Sequence, residues 1–247
     1  MPIVFRISNR VDLTTSLVAR YLFTSGPEDS TGNHEDAIEG TTVSYSSDGV
    51  RLQKVTTGKL RFDTHGTSTH LSDTLNNLPG NTGTISFWVK SNSNLTDDGT
   101  VDNIFIFGSY RGDFANGRGP HFGYFDENNT VDSGSGGWHF WSKVSQTQPY
   151  EGADWIGDSG TDWVHIVLTL DDTDVKMYKD GTLADSYTAS SGWPIDNLEW
   201  EINGTANNFD TNKFFDGWFK DLSVWEGRVL DASEVSALNS NGHGGSY

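Results

Sequence analysis

From Leu17 onward, short apolar-rich runs alternate with turn-rich polar stretches, which predicts a succession of β-strands. LVARYLF (17–23) is a run of the buried type, closed by SGPEDSTGN, and short strands are expected near Thr42–Tyr45 and Lys59–Phe62. In TISFWVK (84–90) the alternation is clean, with Ile85, Phe87 and Val89 on one face and Trp88 on the other. DNIFIFGS (102–109) and PHFGYFD (120–126) read as further strands, with loops over Asn92–Thr100 and Ser109–Gly119. The best-defined unit is Trp163–Tyr187. Val164, Ile166, Leu168 and Leu170 share a face, DDTD turns the chain, DVKMYK returns, and Asp180-Gly181 leads into TLADSYT. Asp-Gly between alternating runs predicts a tight hairpin, because both central residues of a type I′ turn need positive φ. FFDGWFKDLSVWEGRVL (214–230) reads as a strand pair. In DASEVSALNS, Asp231 with Glu234 three residues on predicts a short helix opened by a capping box.

The absence of repeats, heptads and linkers points to one domain over residues 17–240. Residues 1–16, relatively basic with Arg6 and Arg10, form either an arm that docks on a neighbour or a first strand, and 241–247 are a loose tail.

Composition limits the chemistry. With 34 acidic and 16 basic residues and a net charge of −18, the 247-residue chain is a poor partner for nucleic acid or anionic membranes. Its lack of cysteine removes disulfides, thiolate nucleophiles and Cys-ligated metals. No apolar run is long enough to span a bilayer, and MPIVFRISNRVDLTT lacks the apolar core of a secretory signal. The Asn-x-Ser/Thr triplets at Asn94, Asn128 and Asn203 and the Arg111-Gly112-Asp113 tripeptide are read as chance.

Three segments, in order and spacing, resemble the laminin-G-like or pentraxin-like branch of the concanavalin A-like jelly rolls: GTISFWVKS, DWVHIVLTLDDTDVKMYKDGTLADS and FFDGWFKDLSVWEGRVLDASEV. SLVARYLFTSGPEDSTGNH resembles the usual opening strand and turn, and the match is weak between about 95 and 160. The resemblance implies an all-β sandwich of two antiparallel sheets with one short C-terminal helix. It leaves Trp88, Trp163 and Trp225 for packing between the sheets or for the outer surface. It also implies a structural Ca²⁺ held by acids of the opening turn and the last long strand, for which Asp29, Asn33 and Asp221 stand in the matching places. Lys220, where the family often has a second acid, removes a ligand or substitutes an ammonium for the metal.

The segment 120–163 is rich in aromatic residues, and sugar recognition combines aromatic faces with polar groups that bond hydroxyls. Tyr124, Trp138, Trp141, Tyr150 and Trp155 are the candidates for a glycan surface, with Gly134–Gly137 presenting the tryptophans; for any single tryptophan the core is the commoner destination. Catalysis is the minority reading. The Glu-x-Asp-x-x-Glu strand of glycoside hydrolases on this scaffold has only Glu199-Trp200-Glu201 as a counterpart, and the histidines lack metal-ligand spacing. His165 reads as structural.

The expected function is therefore a non-catalytic surface or structural sandwich with glycan binding. Relatives by resemblance are usually exported, whereas this chain shows no signal and no cysteine. A virus or phage virion component, a capsid decoration or a fibre adhesin on the virion surface, reconciles the two. Its partners would be other virion proteins or cell-surface glycans, in an oligomer or larger assembly. A free extracellular lectin and a glycoside hydrolase of the same fold are the alternatives.

Overall fold

The computed structural model describes residues 11–55, 58–62, 70–92, 104–108, 118–125, 137–143, 151–156, 161–189, 200–203, 214–242 and 245. Along the first part of the chain run β1 (Leu17–Tyr21), β2 (Ile38–Glu39), β3 (Ser44–Ser46), β4 (Gly49–Leu52), β5 (Leu60–Phe62), α1 (Leu71–Asn76) and β6 (Gly83–Ser91). The middle holds β7 (Ile104–Gly108), β8 (Arg118–Phe125), β9 (Gly137–Lys143) and β10 (Glu151–Ile156). The meander β11 (Val164–Asp171), β12 (Asp174–Lys179) and β13 (Thr182–Thr188) follows, then β14 (Trp200–Ile202), β15 (Gly217–Glu226) and α2 (Ala232–Asn241).

Antiparallel pairing sorts the strands into two sheets. The first is ordered β13-β12-β11-β6-β15-β4-β3, with β1 also on β15, and the second β10-β9-β8-β7-β14-β5-β2. The sheets pack face to face on the residues that alternation turned inward. Ile85, Phe87 and Val89 of β6 and Ile166 and Leu168 of β11 meet Phe107, Phe122, Phe140, Trp200 and Ile202 in one continuous core. Phe87 joins the layers, its ring 5.0 Å from Phe219 within its own sheet and 5.1 Å from Phe122 across the core. Such edge and offset contacts add specific geometry to apolar burial. The expected all-β sandwich is what forms.

Local signals also hold. Asp180 and Gly181 take φ of 49° and 80°, as the hairpin requires. The Asp231 carboxylate accepts from the backbone of Ser233 at 2.8 Å and Glu234 at 2.9 Å, and Glu234 bonds back to Asp231 N at 2.8 Å. His165 is buried, stacked 4.6 Å from Trp88 and bonded through Nε2 to Ser86 Oγ at 2.8 Å. Burial pushes its imidazole down to about 4, against the opposing pull of Asp221 and Asp180.

Three elements differ from expectation. The stretch read as a strand pair is the single ten-residue β15, because Asp221 adopts φ 50° and the register with β6 slips between Lys220 and Ser223. That bulge bends the strand without turning it back. Helix α1 was not foreseen; Leu71 and Leu75, one turn apart, are buried in it. Trp138 and Trp141, expected at a loop tip, lie instead in strand β9, paired with β10.

Candidate functional site

Strand alternation gives the second sheet an inner row and an outer row. Leu60, Ile202, Phe107, Phe122, Phe140 and Ala153 lie opposite one another and face the core. One residue along, the register aligns Ile38, Arg61, Glu201, Gly108, His121, Trp141 and Gly152 across all seven strands. This outward row joins residues from every part of the chain. A parallel row sets Gly123 opposite His139 and His139 opposite Asp154.

The outward row is polar yet enclosed. Glu201, His121 and His139 are 3%, 1% and 3% exposed although they point away from the core. Glu201 Oε1 accepts from Lys59 Nζ at 2.6 Å, and the lysine is the more exposed partner. A buried carboxylate needs such a partner to stay charged. Gly108 lets β7 approach β8: at its φ of 153° an added Cβ would come within 2.4 Å of His121 Cα. The row thus places a carboxylate and an imidazole on neighbouring strands, a donor and acceptor set suited to hydroxyl groups.

Of the aromatic candidates, Trp138 and Tyr124 are core residues. Trp138 is 1% exposed, stacked on Phe122 at 5.4 Å and edge-on to Tyr124 at 5.8 Å, so its faces are spent on packing. Trp155 lies opposite Trp138 in the ladder, in the inward row. Trp141 lies opposite His121, in the outward row. Tyr150 lies outside the described residues, as do Gly134–Gly136 and Glu199. In the sequence Glu201 is legible only as part of an incomplete catalytic motif, and His121 only as part of an aromatic run.

The calcium expectation meets a different donor arrangement. Both oxygens of Asp29 are already filled: Oδ1 accepts from Arg20 N at 2.8 Å and Thr31 N at 3.1 Å. Oδ2 accepts from Thr31 Oγ1 at 2.6 Å, His34 N at 2.9 Å and Asn33 N at 3.1 Å. Burial raises the Asp29 carboxyl, but its hydrogen bonds from His34, Arg20 N and Thr31 outweigh that and hold it well below the usual carboxylate range. Asn33 donates its amide to Val18 O at 3.0 Å. Asp221 is gripped by the Arg20 guanidinium, Nε to Oδ1 at 2.8 Å and Nη2 to Oδ2 at 3.0 Å. Arg20 Nη2 also donates to Gly245 O at 2.9 Å. Among the described residues no three metal-ligating side chains gather. Asp29, Asn33 and Asp221 do not fit a Ca²⁺ ion, which needs free oxygens where these carboxylates hold N–H donors and a fixed organic cation. The Lys220 ammonium lies elsewhere, 3.6 Å over the Trp163 ring.

Residues 62–236 match a family model described as the concanavalin A-like lectin/glucanases superfamily. No curated protein sequence matches. Among solved structures the chain is similar to domain 4 of AbnA, a GH43 extracellular arabinanase from Geobacillus stearothermophilus, in complex with arabinotriose. The identity is 21% and the TM-score 0.62, over 90% of this chain and 98% of that one. It is also similar to the ligand binding domain of botulinum neurotoxin serotype D in complex with N-acetylneuraminic acid, at 14% identity and TM-score 0.63, over 92% of this chain and 51% of that one. The binding domain of Paraclostridial Mosquitocidal Protein 1 matches at 16% identity and TM-score 0.60, over 90% and 51%. This chain spans about half the length of the two toxin domains.

Proposed function

The chain belongs to the concanavalin A-like lectin/glucanases superfamily, and on that premise we propose that it is a non-catalytic carbohydrate-binding domain whose site is the outward row of the second sheet. The observation that carries the reading is the alignment of Glu201, Gly108, His121 and Trp141 across the face turned away from the core. A carboxylate accepts from hydroxyl groups and an imidazole both donates to and accepts from them, which is the chemistry a saccharide offers. Register places the aromatic residue Trp141 in this row, and a sugar's C–H face favours aromatic surface. Solved relatives of the fold carry arabinotriose and N-acetylneuraminic acid, which supports a saccharide as the ligand class.

Binding without hydrolysis is favoured by the Glu201–Lys59 pair at 2.6 Å. Glycoside hydrolysis needs a carboxylic acid that donates a proton to the leaving group, which calls for a raised pKa. Glu201 is instead held by an ammonium, and no second carboxylate stands in its row. Asp29 and Asp221 already hold N–H donors, so the domain is expected to bind with equal strength in chelator. The finer role, a virion decoration or fibre component, rests on the cysteine-free composition of a chain whose relatives by resemblance are usually exported. Proteomics of purified particles tests it, and absence from the particles would refute it.

A glycan array tests the binding reading, followed by titration of the strongest ligand into the wild type and the Glu201→Ala and Trp141→Ala variants. Each substitution is expected to weaken binding at least tenfold while the variants stay folded, and reducing-sugar assays are expected to show no release. Unchanged affinity in both variants would refute the site. Sugar release abolished by Glu201→Ala would establish the hydrolase reading instead.

A further inference from the structure

The outer face of the first sheet is divided in two. One half is roofed: Leu13 from the segment before β1 and Leu230, Val235 and Leu238 from α2 and its approach close over Val167, Tyr178 and Trp225. Trp225 Nε1 donates to Leu13 O at 2.7 Å, which fixes that roof. The other half carries Arg51, Trp218 and Lys90, directly opposite one another on β4, β15 and β6. Trp163, one residue before Val164, continues the row, because Val164 lies opposite Val89. Trp88 flanks the row, and Trp88, Trp163, Trp218, Arg51 and Lys90 all stay partly exposed.

Cations and rings alternate along this row. Arg51 Cζ lies 4.6 Å and Lys90 Nζ 5.5 Å from the Trp218 centroid. Lys220, 1% exposed, lies over Trp163 and has no hydrogen-bond partner among the described residues. The carboxylates near Lys220 are the exposed Asp48 and Asp221, which is held by Arg20. Arg51 pairs with Asp216 at 2.5 Å, whereas Lys90 and Lys220 form no ion pair among the described residues. In a chain with 34 acids and 16 bases, a row whose positions Arg51, Trp218, Lys90 and Trp163 carry two cations and no acid is out of balance with the rest of the surface. At ~4.8 Å between strands, the row from Arg51 to Trp163 is about 14 Å long.

We propose that this uncovered half of the first sheet is a second binding face, for a carboxylated oligosaccharide lying across β4, β15, β6 and β11. The Trp218 and Trp163 rings offer surfaces to sugar C–H groups, and Lys90 and Arg51 meet the carboxylates. A neutral sugar would leave Lys90 without a counter-charge, whereas Arg51 already holds Asp216. Nucleic acid is disfavoured because two reachable cations are too few to offset a −18 chain against a phosphate at every step. This face lies on the other sheet from Glu201 and His121 and stands or falls apart from them.

The test is titration with tetragalacturonate, with its fully methyl-esterified form, and with 3′-sialyllactose, on the wild type and on Lys90→Glu, Trp218→Ala and Glu201→Ala. At least one acidic probe is expected to bind, at least tenfold more tightly than the ester in the case of tetragalacturonate, with affinity falling as salt rises. Lys90→Glu, a surface reversal that leaves the core untouched, is expected to weaken binding at least tenfold, and Trp218→Ala likewise, while Glu201→Ala leaves it unchanged. The proposal is overturned if neither acidic probe binds, if the ester binds as well as the acid, or if Glu201→Ala and not Lys90→Glu removes binding.

Discussion

At the scale of single residues, the most informative side chains are polar ones buried where apolar ones would be simpler. His165 holds its place between Trp88 and Ser86 as a neutral imidazole, with its pKa pushed down from 6.5 to about 4. As pH falls below 6.5 the unfolded chain takes up a proton that the folded chain refuses. Stability is therefore lost between about pH 6.5 and 4, up to about 3 kcal/mol, and no further loss from this group occurs below that window. Denaturant titrations at pH 8, 6, 5 and 4 should show this slope in the wild type and a shallower one in His165→Gln; equal slopes would contradict it. Trp138 makes the opposite kind of prediction. As a core ring stacked on Phe122, its replacement by alanine should cost about 3–5 kcal/mol, read as a large fall in melting temperature.

At the scale of elements, the legible features were local. The alternation of TISFWVK gave the inward set of β6, Asp180-Gly181 gave the hairpin, and Asp231 with Glu234 gave the start of α2. The outward row of the second sheet was not legible. Arg61, Glu201, His121 and Trp141 meet only through pairings between distant strands, and a register shift in β7 or β8 moves the row. Grouping Trp138 with Trp141 failed for a simpler reason. Three residues apart on one strand, they fall on opposite faces. The opening turn shows a similar gap: the acids were visible, but not that Arg20 from β1 would reach Asp221 on β15 and the carbonyl of Gly245. Removing it with Arg20→Ala should cost about 3 kcal/mol, since Asp221 is left charged, buried and without its main partner. Melting temperature of the wild type should be the same in EGTA and in millimolar Ca²⁺. A rise of several degrees with Ca²⁺ would show that the guanidinium is not the resident cation.

At the scale of the molecule, two sheets are glued by one aromatic core, and each turns a chemically distinct face outward. The second sheet offers an enclosed face with Glu201 and His121 in one row and His139 in the next, and the first an open row of tryptophans and cations beside the roof made by α2. The net charge of −18 belongs to the surface around them and accounts for neither face. The measurement that bears most directly on the central claim is calorimetric titration of the best neutral oligosaccharide from an array into the wild type, Glu201→Ala, Trp141→Ala and Lys90→Glu. Saturable binding by the wild type and by Lys90→Glu, weakened at least tenfold in both Glu201→Ala and Trp141→Ala at a temperature where every variant is folded, is the predicted result. Binding that survives both substitutions, or no saccharide bound at all, would contradict it.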